Sequence, residues 1–348
     1  MPRVRVRGAG IVGLACADEL ARRGHEVEVV DARPGSGASR AAAGMLSPSS
    51  EVWHGEEVLL GLGAESRAAW PAWAARLGVP LHTGGVLLVG LDAGDLSQVE
   101  RQAALLTRLG AAAEPLGGRE LRRLEPGLGR VTGGALLRDD AAVDPRAVVA
   151  ALHERVEVHA DPGPGPCDVE VWATGAWLPR PWRHLVRGVR GEVVRLRCGD
   201  PPCRTVRGWV AGAPTYVVPR PGSPGTAVEV VVGATSEEHD GPPVPTLGGV
   251  HRLLDGARLL LPGLDRAEVV EVLARDRPAT ADGLPLVGPA PQGRPDGTGP
   301  GSGARHLLAA GHHRHGVLLA PLTARLIADL VDDPAADPHP ALDPRRTS

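Results

Sequence analysis

Apolar and polar residues alternate with a period of two at the start of the chain. Arg3, Val4, Arg5, Val6 and Arg7 predict a short strand. Gly8-Ala9-Gly10-Ile11-Val12-Gly13 follows and opens a helix expected to run to about Arg23, with Gly24 closing it. His25 to Val30 then reads as a second strand that ends at Asp31, eighteen residues beyond the third glycine. Further on, Val189 to Leu196, Arg207 to Val218 and Ala227 to Gly233 read as Val-rich strands. Leu247 to Leu261 reads as a helix stopped by Pro262-Gly263. A last helix is expected to carry Leu318, Leu319, Leu322, Leu326, Ile327 and Leu330 on its apolar side. Residues 289–304 read as a Gly/Pro-rich loop, and 333–348 have no apolar pattern and are expected to be a disordered tail.

Strand, glycine turn, helix, strand and acid together form a dinucleotide-binding fingerprint. Gly8 permits the tight turn, Gly10 lets the backbone approach a pyrophosphate, and Gly13 lets the helix lie close to the strand. The helix start, with Ile11 and Val12, offers N–H groups and a positive dipole end to phosphates. Asp31 accepts bonds from ribose hydroxyls. Arg7 is out of place, because a buried parallel strand is usually apolar there. The fingerprint alone does not separate NAD from FAD. After Asp31 the chain runs through Arg33 and Ser39 to Ala43-Gly44-Met45 in a long stretch of tiny residues, where a nicotinamide enzyme usually starts its next helix. A large flat ligand lying against backbone needs such a stretch, although a flexible alanine-rich linker would look the same.

Composition narrows the chemistry. The length of 348 residues suggests two domains, and a net charge of −3 gives no field to recruit nucleic acid or an anionic membrane. The sequence contains no Lys, which excludes protein Schiff bases and Walker-type phosphate lysines. Four Cys do not make a disulfide scaffold, and no ligand pairs stand at zinc spacing, so no metal is assigned. Arg3, Arg5 and Arg7 before an apolar run ending at Cys16 look superficially like a lipoprotein signal. Gly8, Gly10 and Gly13 interrupt that run, and no stretch approaches the roughly 18 apolar residues of a membrane helix. A cytoplasmic protein without a membrane span is expected.

The opening segment, GAGIVGLACADELARRGHEVEVVDARPGSGASRAAAGML, resembles the glycine oxidases of thiamine biosynthesis, within the FAD-dependent D-amino-acid oxidase family. Similar blocks follow in order: Val143-Asp144-Pro145, Ala173-Thr174-Gly175-Ala176-Trp177, Arg190-Gly191-Glu192, Tyr216-Val217-Val218-Pro219-Arg220, Gly233-Ala234-Thr235-Ser236, Arg277 to Gly283, and Gly311 to Pro321. The resemblance covers nearly the whole chain. It implies an α/β fold in which a Rossmann-type FAD-binding domain is interleaved with a mixed-sheet α+β substrate domain. Residues 1–80, 133–182 and 276–332 would form the first, and 81–132 and 183–275 the second.

The resemblance also implies an activity: oxidative deamination of glycine or another small amino acid by hydride transfer to FAD, with oxygen regenerating the flavin and releasing peroxide, in the service of thiamine thiazole synthesis. A sarcosine-type or other amine oxidase, or a quinone-linked dehydrogenase of the same family, is the alternative. A nicotinamide reductase and a flavin-binding protein without turnover are further ones. Amine oxidation by a flavin needs no acid-base triad, but the substrate carboxylate must be held, for which a planar bidentate donor is suited. Arg277 matches the family's carboxylate anchor, Arg314 a second basic residue, and Tyr216 a phenol that bonds the carboxylate. Gly311, Gly316, Val317 and Leu318 match the segment at the flavin's pyrimidine edge, and Gly175 another cofactor contact.

Departures accompany the matches. Pro214 and Ser236 stand where a histidine and a methionine can occur, so the side-chain preference stays open. His315 stands where the family often has Asn, and His312, His313 and His315 on one loop do not converge on a metal. Only a Pro/Gly stretch lies between Val158 and Cys167 where a longer hairpin is usual, which puts FAD affinity in doubt. Arg40 stands where histidyl-linked relatives carry His, so FAD is expected to be non-covalent. Family members are often oligomeric, which leaves a homo-oligomer open.

Overall fold

A computed structural model of the chain describes residues 1–163, 165–220, 227–293, 295 and 303–347. The first sheet has six strands in the order Leu286–Pro289, Arg305–Ala310, Val169–Trp172, Arg3–Arg7, Glu26–Val30 and Val158–His159. Its strands run parallel except for Leu286–Pro289, which is antiparallel to Arg305–Ala310. The helix Ile11–Arg22 crosses between the strands Arg3–Arg7 and Glu26–Val30 and packs on the helix Ala320–Asp332. Val4, Val6, Leu14, Leu20 and Ile327, all inaccessible to water, form the core between sheet and helices. This is the βαβ unit that the glycine spacing predicts, followed by a crossover typical of a doubly wound fold.

The second sheet has eight strands in the order Glu268–Ala279, Arg187–Cys198, Val228–Gly233, Ala213–Pro219, Thr205–Val210, Val86–Gly90, Gly133–Leu137 and Glu114–Gly117. All of its neighbours are antiparallel except Thr205–Val210 with Val86–Gly90. The helix Leu247–Leu260 covers one face and buries Leu253, Ala257 and Leu260 against Val194, Val217 and Val230. The chain passes repeatedly between the two sheets, giving an α/β fold with an interleaved mixed sheet. The segment expected to begin the first domain at 133 opens with a strand of this second sheet, and the boundary expected at 276 falls inside another.

Two expectations are corrected. The stretch Arg207 to Val218 is a hairpin of two strands, turned at Ala211 and Gly212 with φ of 50° and 79°. Positive φ at both central residues suits a tight hairpin, but Ala-Gly lacks the Asn-Gly signature that flags one in a sequence.

The tail is ordered through Thr347: Leu342 is buried, its carbonyl accepts from the Val287 amide at 2.8 Å, and Arg346 pairs with Asp282. One apolar anchor and backbone bonds leave no periodicity to read. The final residue and part of the 289–304 loop lie outside the described residues.

The arginines of the first strand, finally, are paired within the protein. Arg5 Nε donates to Glu28 at 2.8 Å, and Arg7 Nη2 to Glu170 at 2.7 Å, with the Arg7 guanidinium 4.8 Å from the Trp172 ring centroid. The short connection after His159 is tied into the same cluster, since Arg5 donates to the Gly163 carbonyl and Glu28 accepts from the Gly163 amide. Charged pairs thus line a stretch of the first sheet, Arg7 among them at a place that is usually apolar in a buried parallel strand.

Candidate functional site

The glycine turn after the first strand works by close approach. At Gly8, with φ of 107°, a Cβ would lie 2.4 Å from the Ala173 carbonyl oxygen. At Gly13 it would lie 2.0 Å from the Gly8 carbonyl oxygen, so helix and turn touch only because both side chains are absent. At Gly10 the sole neighbour within 4 Å is Ser39 Oγ at 3.3 Å. The backbone of the second glycine faces a cavity.

That cavity has a volume of 1680 Å³ and extends from the glycine turn to the second sheet. It exceeds the roughly 300–1,000 Å³ of a pocket for one small ligand, as a dinucleotide with a substrate beside it requires. Of the residues expected to hold the cofactor, Gly8, Gly10, Ile11, Val12, Asp31, Arg33, Ser39, Ala43, Gly44, Met45, Gly175, Gly316 and Val317 line it. Three do not. Gly13 packs the helix onto the turn, Gly311 follows the strand Arg305–Ala310 with φ of 72°, and Leu318 is buried in the core, its carbonyl accepting from Ser66 Oγ and Trp70 Nε1. The final helix starts at Ala320, so Leu318 and Leu319 belong to the turn before it.

Asp31 does more than face a ribose. Its Oδ2 accepts from the Ala9 amide and its Oδ1 from the Arg33 amide, both at 2.8 Å, tying the glycine turn to the end of the second strand. Ser39 Oγ accepts from the Ile11 amide at 3.0 Å, so the tiny-residue stretch closes over the helix start. An acid on the turn, a helix N-terminus and a glycine backbone open to the cavity together fit the pyrophosphate and ribose of a dinucleotide.

At the other end of the cavity the structure brings together Tyr216, Arg277 and Arg314 from three separate segments. Arg277 lies on the strand Glu268–Ala279 with its guanidinium stacked over Gly191, where a Cβ would come within 2.4 Å of Cζ. It donates to the Thr235 carbonyl at 3.1 Å and has no acidic partner among the described residues. Tyr216 lies over Gly233 in the same way. Burial pushes the Tyr216 phenol above its ordinary range, Arg277 acting against that shift and Glu51 adding to it, so the phenol stays protonated and able to donate. Arg314 is already partnered: it pairs with Glu56 and donates to the Glu51 carbonyl.

Several residues of this pocket were not anticipated. Glu51, only 6% exposed, ends the short helix Pro48–Glu51 and accepts from Arg207 Nη1 at 2.8 Å. Burial opposes its ionisation, but Arg207, with His315 and Arg314, outweighs burial and holds its carboxyl below the usual range. Asp140 caps that helix, accepting from the Ser49 and Ser50 amides, and burial pushes its carboxyl up to about 6. Trp53 lines the cavity and stands edge-on to Trp209 at 5.5 Å. His313 lines it with a φ of 48°, its imidazole pushed down to about 4 by burial and by Arg314 and Arg277. His312 is buried with Nε2 2.9 Å from Thr323 Oγ1. Among the described residues no group of three His, Cys, Asp or Glu could hold a metal ion, and no helix is long and apolar enough to cross a membrane. The acid at position 51 had no sequence signal, because its partners stand more than 150 positions away.

Comparisons with known proteins agree with this geometry. The family described as FAD dependent oxidoreductase (DAO) matches residues 3–330. A glycine oxidase of Geobacillus kaustophilus is 30% identical over 94% of this chain and 92% of its own length. The crystal structure of glycine oxidase from that species superimposes with a TM-score of 0.81 at 29% identity, covering 100% of this chain and 98% of the other. A putative thiamine biosynthesis oxidoreductase ThiO of Rhizobium etli is 35% identical over 94% of this chain and 95% of its own. A bifunctional ThiO/ThiG protein of Trichormus variabilis is 31% identical over 95% of this chain, which spans about half of that relative (53%).

Proposed function

The chain belongs to the DAO family of FAD dependent oxidoreductases, an enzyme family whose cofactor is FAD, and we propose that it deaminates glycine or another small amino acid oxidatively. The observation that carries this reading is Arg277, a guanidinium without an acidic partner among the described residues, beside the Tyr216 phenol at one end of a cavity whose other end is a dinucleotide turn. A desolvated guanidinium pairs with a carboxylate in two parallel bonds, and the phenol adds a third donor. The amino acid is thereby oriented with its α-carbon toward the middle of the cavity. The neutral His313 and the paired Arg314 bring no further free charge to that end.

At the cofactor end Gly10, Ile11 and Val12 would hold the pyrophosphate and Asp31 the ribose, without a covalent link. When bound, FAD supplies a two-electron acceptor for the C–H bond α to the amine. The imine product hydrolyses to a 2-oxo acid, oxygen is the electron acceptor, and the pathway served is thiamine thiazole synthesis. The names of the relatives support that assignment.

The test is a panel of glycine, D-alanine, sarcosine and benzylamine, scored by anaerobic flavin bleaching and by peroxide release in air. Glycine is expected to bleach the flavin and release peroxide, and benzylamine, which lacks a carboxylate, to do neither. A yellow, FAD-loaded protein that no α-amino acid bleaches would overturn the reading. Bleaching without peroxide would replace oxygen by another acceptor.

A further inference from the structure

This inference rests on the amine-oxidation reading and concerns which amino acids the same pocket accepts. The guanidiniums of Arg207, Arg220 and Arg277 all act on the Tyr216 phenol, Arg314 lines the same cavity, and their partners differ, Arg220 being buried on the Ala43 and Val143 carbonyls. Arg277 bonds only carbonyl oxygens among the described residues, and Arg314 is held by Glu56. Arg207 lies directly across the hairpin from Tyr216, so both side chains leave the sheet on the same face. Its Nη1 donates to Glu51 Oε1 at 2.8 Å, and the two side chains are 12% and 8% exposed while both line the cavity. The charges of Arg277, Glu51 and Arg207 all act on the same phenol.

We propose that Glu51 is a specificity-determining residue: by pairing with Arg207 beside Tyr216 it keeps that guanidinium from taking a second carboxylate, leaves Arg277 to hold the first, and restricts the pocket to amino acids with one carboxylate. A second carboxylate, as in N-carboxymethyl amino acids or amino dicarboxylates, meets the Glu51 carboxylate where little water screens the repulsion. It captures Arg207 only by breaking the 2.8 Å bond and leaving Glu51 buried without its counter-charge. A monocarboxylic substrate meets neither cost, because Arg277 is free to take it.

Methoxyacetate and diglycolate test this directly, since they share an ether backbone, carry one and two carboxylates, and have no nitrogen to oxidise. Their affinities for the FAD-loaded protein are measured by calorimetry, and the readout is the ratio of the two dissociation constants. The unaltered protein is expected to bind methoxyacetate more tightly. In Glu51→Gln the preference should move toward diglycolate by at least about tenfold, as a released guanidinium gains a partner. Glu51→Asp should keep the original preference, and adding Arg207→Gln to Glu51→Gln should abolish the gain.

The inference is overturned if the unaltered protein binds diglycolate at least as tightly as methoxyacetate, or if Glu51→Gln leaves the ratio unchanged. If Glu51→Gln does not fold, the ratio in the unaltered protein still decides. Neither ligand turns over, so a failure here is distinct from a failure of glycine to release peroxide, which would remove the underlying reading.

Discussion

The two ends of the cavity are built in opposite ways. The cofactor end is local: turn, helix start and acid lie within residues 8–31, and Asp31 bonds the amides of Ala9 and Arg33 directly. The substrate end is assembled from residues 51, 207, 216, 277 and 314, which meet only when the second sheet forms against the first. The first end is held by backbone and missing side chains, the second by charges whose pairing decides what remains free. Substitutions at the two ends should therefore fail differently.

The largest effect is expected at Arg277. Truncating one partner of a desolvated charge pair costs about 2–5 kcal/mol, so Arg277→Ala should lower kcat/KM for glycine by roughly 30-fold to several thousand-fold. FAD should stay bound, and Lys should rescue only in part, since it restores charge without the two-pronged geometry. Steady-state kinetics beside the flavin spectrum measure both. Turnover at the parent rate would move the anchor elsewhere.

Gly13→Val should show the opposite signature. Its Cβ would fall 2.0 Å from the Gly8 carbonyl oxygen, and the helix must move off the turn at a cost of about 3 kcal/mol. The expected result is a lower melting temperature and loss of FAD, read by thermal scanning and by the yellow colour. A stable yellow variant would show that the turn tolerates a side chain.

A third test concerns acid. Burial pushes His312 down to about 4 from an ordinary 6.5, so the folded protein resists a proton that the unfolded chain accepts. That contribution to stability is fully present above pH 6.5 and is lost as the pH falls toward 4. His315, pushed down to about 3 by burial, acts in the same sense. His312→Gln should flatten the loss of stability between pH 6.5 and 4 by a few kcal/mol, at roughly 1.4 kcal/mol per pKa unit. Urea midpoints at pH 7.5 and 4.5 give the slope, and an unaltered slope would remove His312 from this account.

The smallest effect belongs to Asp31→Ala, which removes the acceptor for two backbone amides as well as the ribose contact. A loss of about 1–3 kcal/mol in FAD binding is expected from a protein that stays soluble, measured by flavin titration of the apoprotein. Unchanged affinity would take Asp31 out of the cofactor site.

What the sequence by itself determined follows the same division. The strand, glycine turn and helix at residues 3–22 were legible because their physics is local: alternation sets the strand, and the glycine spacing sets the turn and helix start. The tiny-residue stretch to Met45 and the positions of Arg277 and Tyr216 were legible through motif. The two-residue hairpin at Ala211-Gly212 was not, since Ala-Gly carries no turn signature, and neither were the ordered tail around Leu342 and the paired arginines of the first strand, which depend on partners distant along the chain. The same holds for the pocket's charge balance. Thirty-eight arginines look alike in a row of letters. Only the tertiary structure decides that Arg207 faces Glu51, that Arg314 faces Glu56 and that Arg277 faces no acid among the described residues, because Coulomb energy depends on distance and burial and not on separation along the chain.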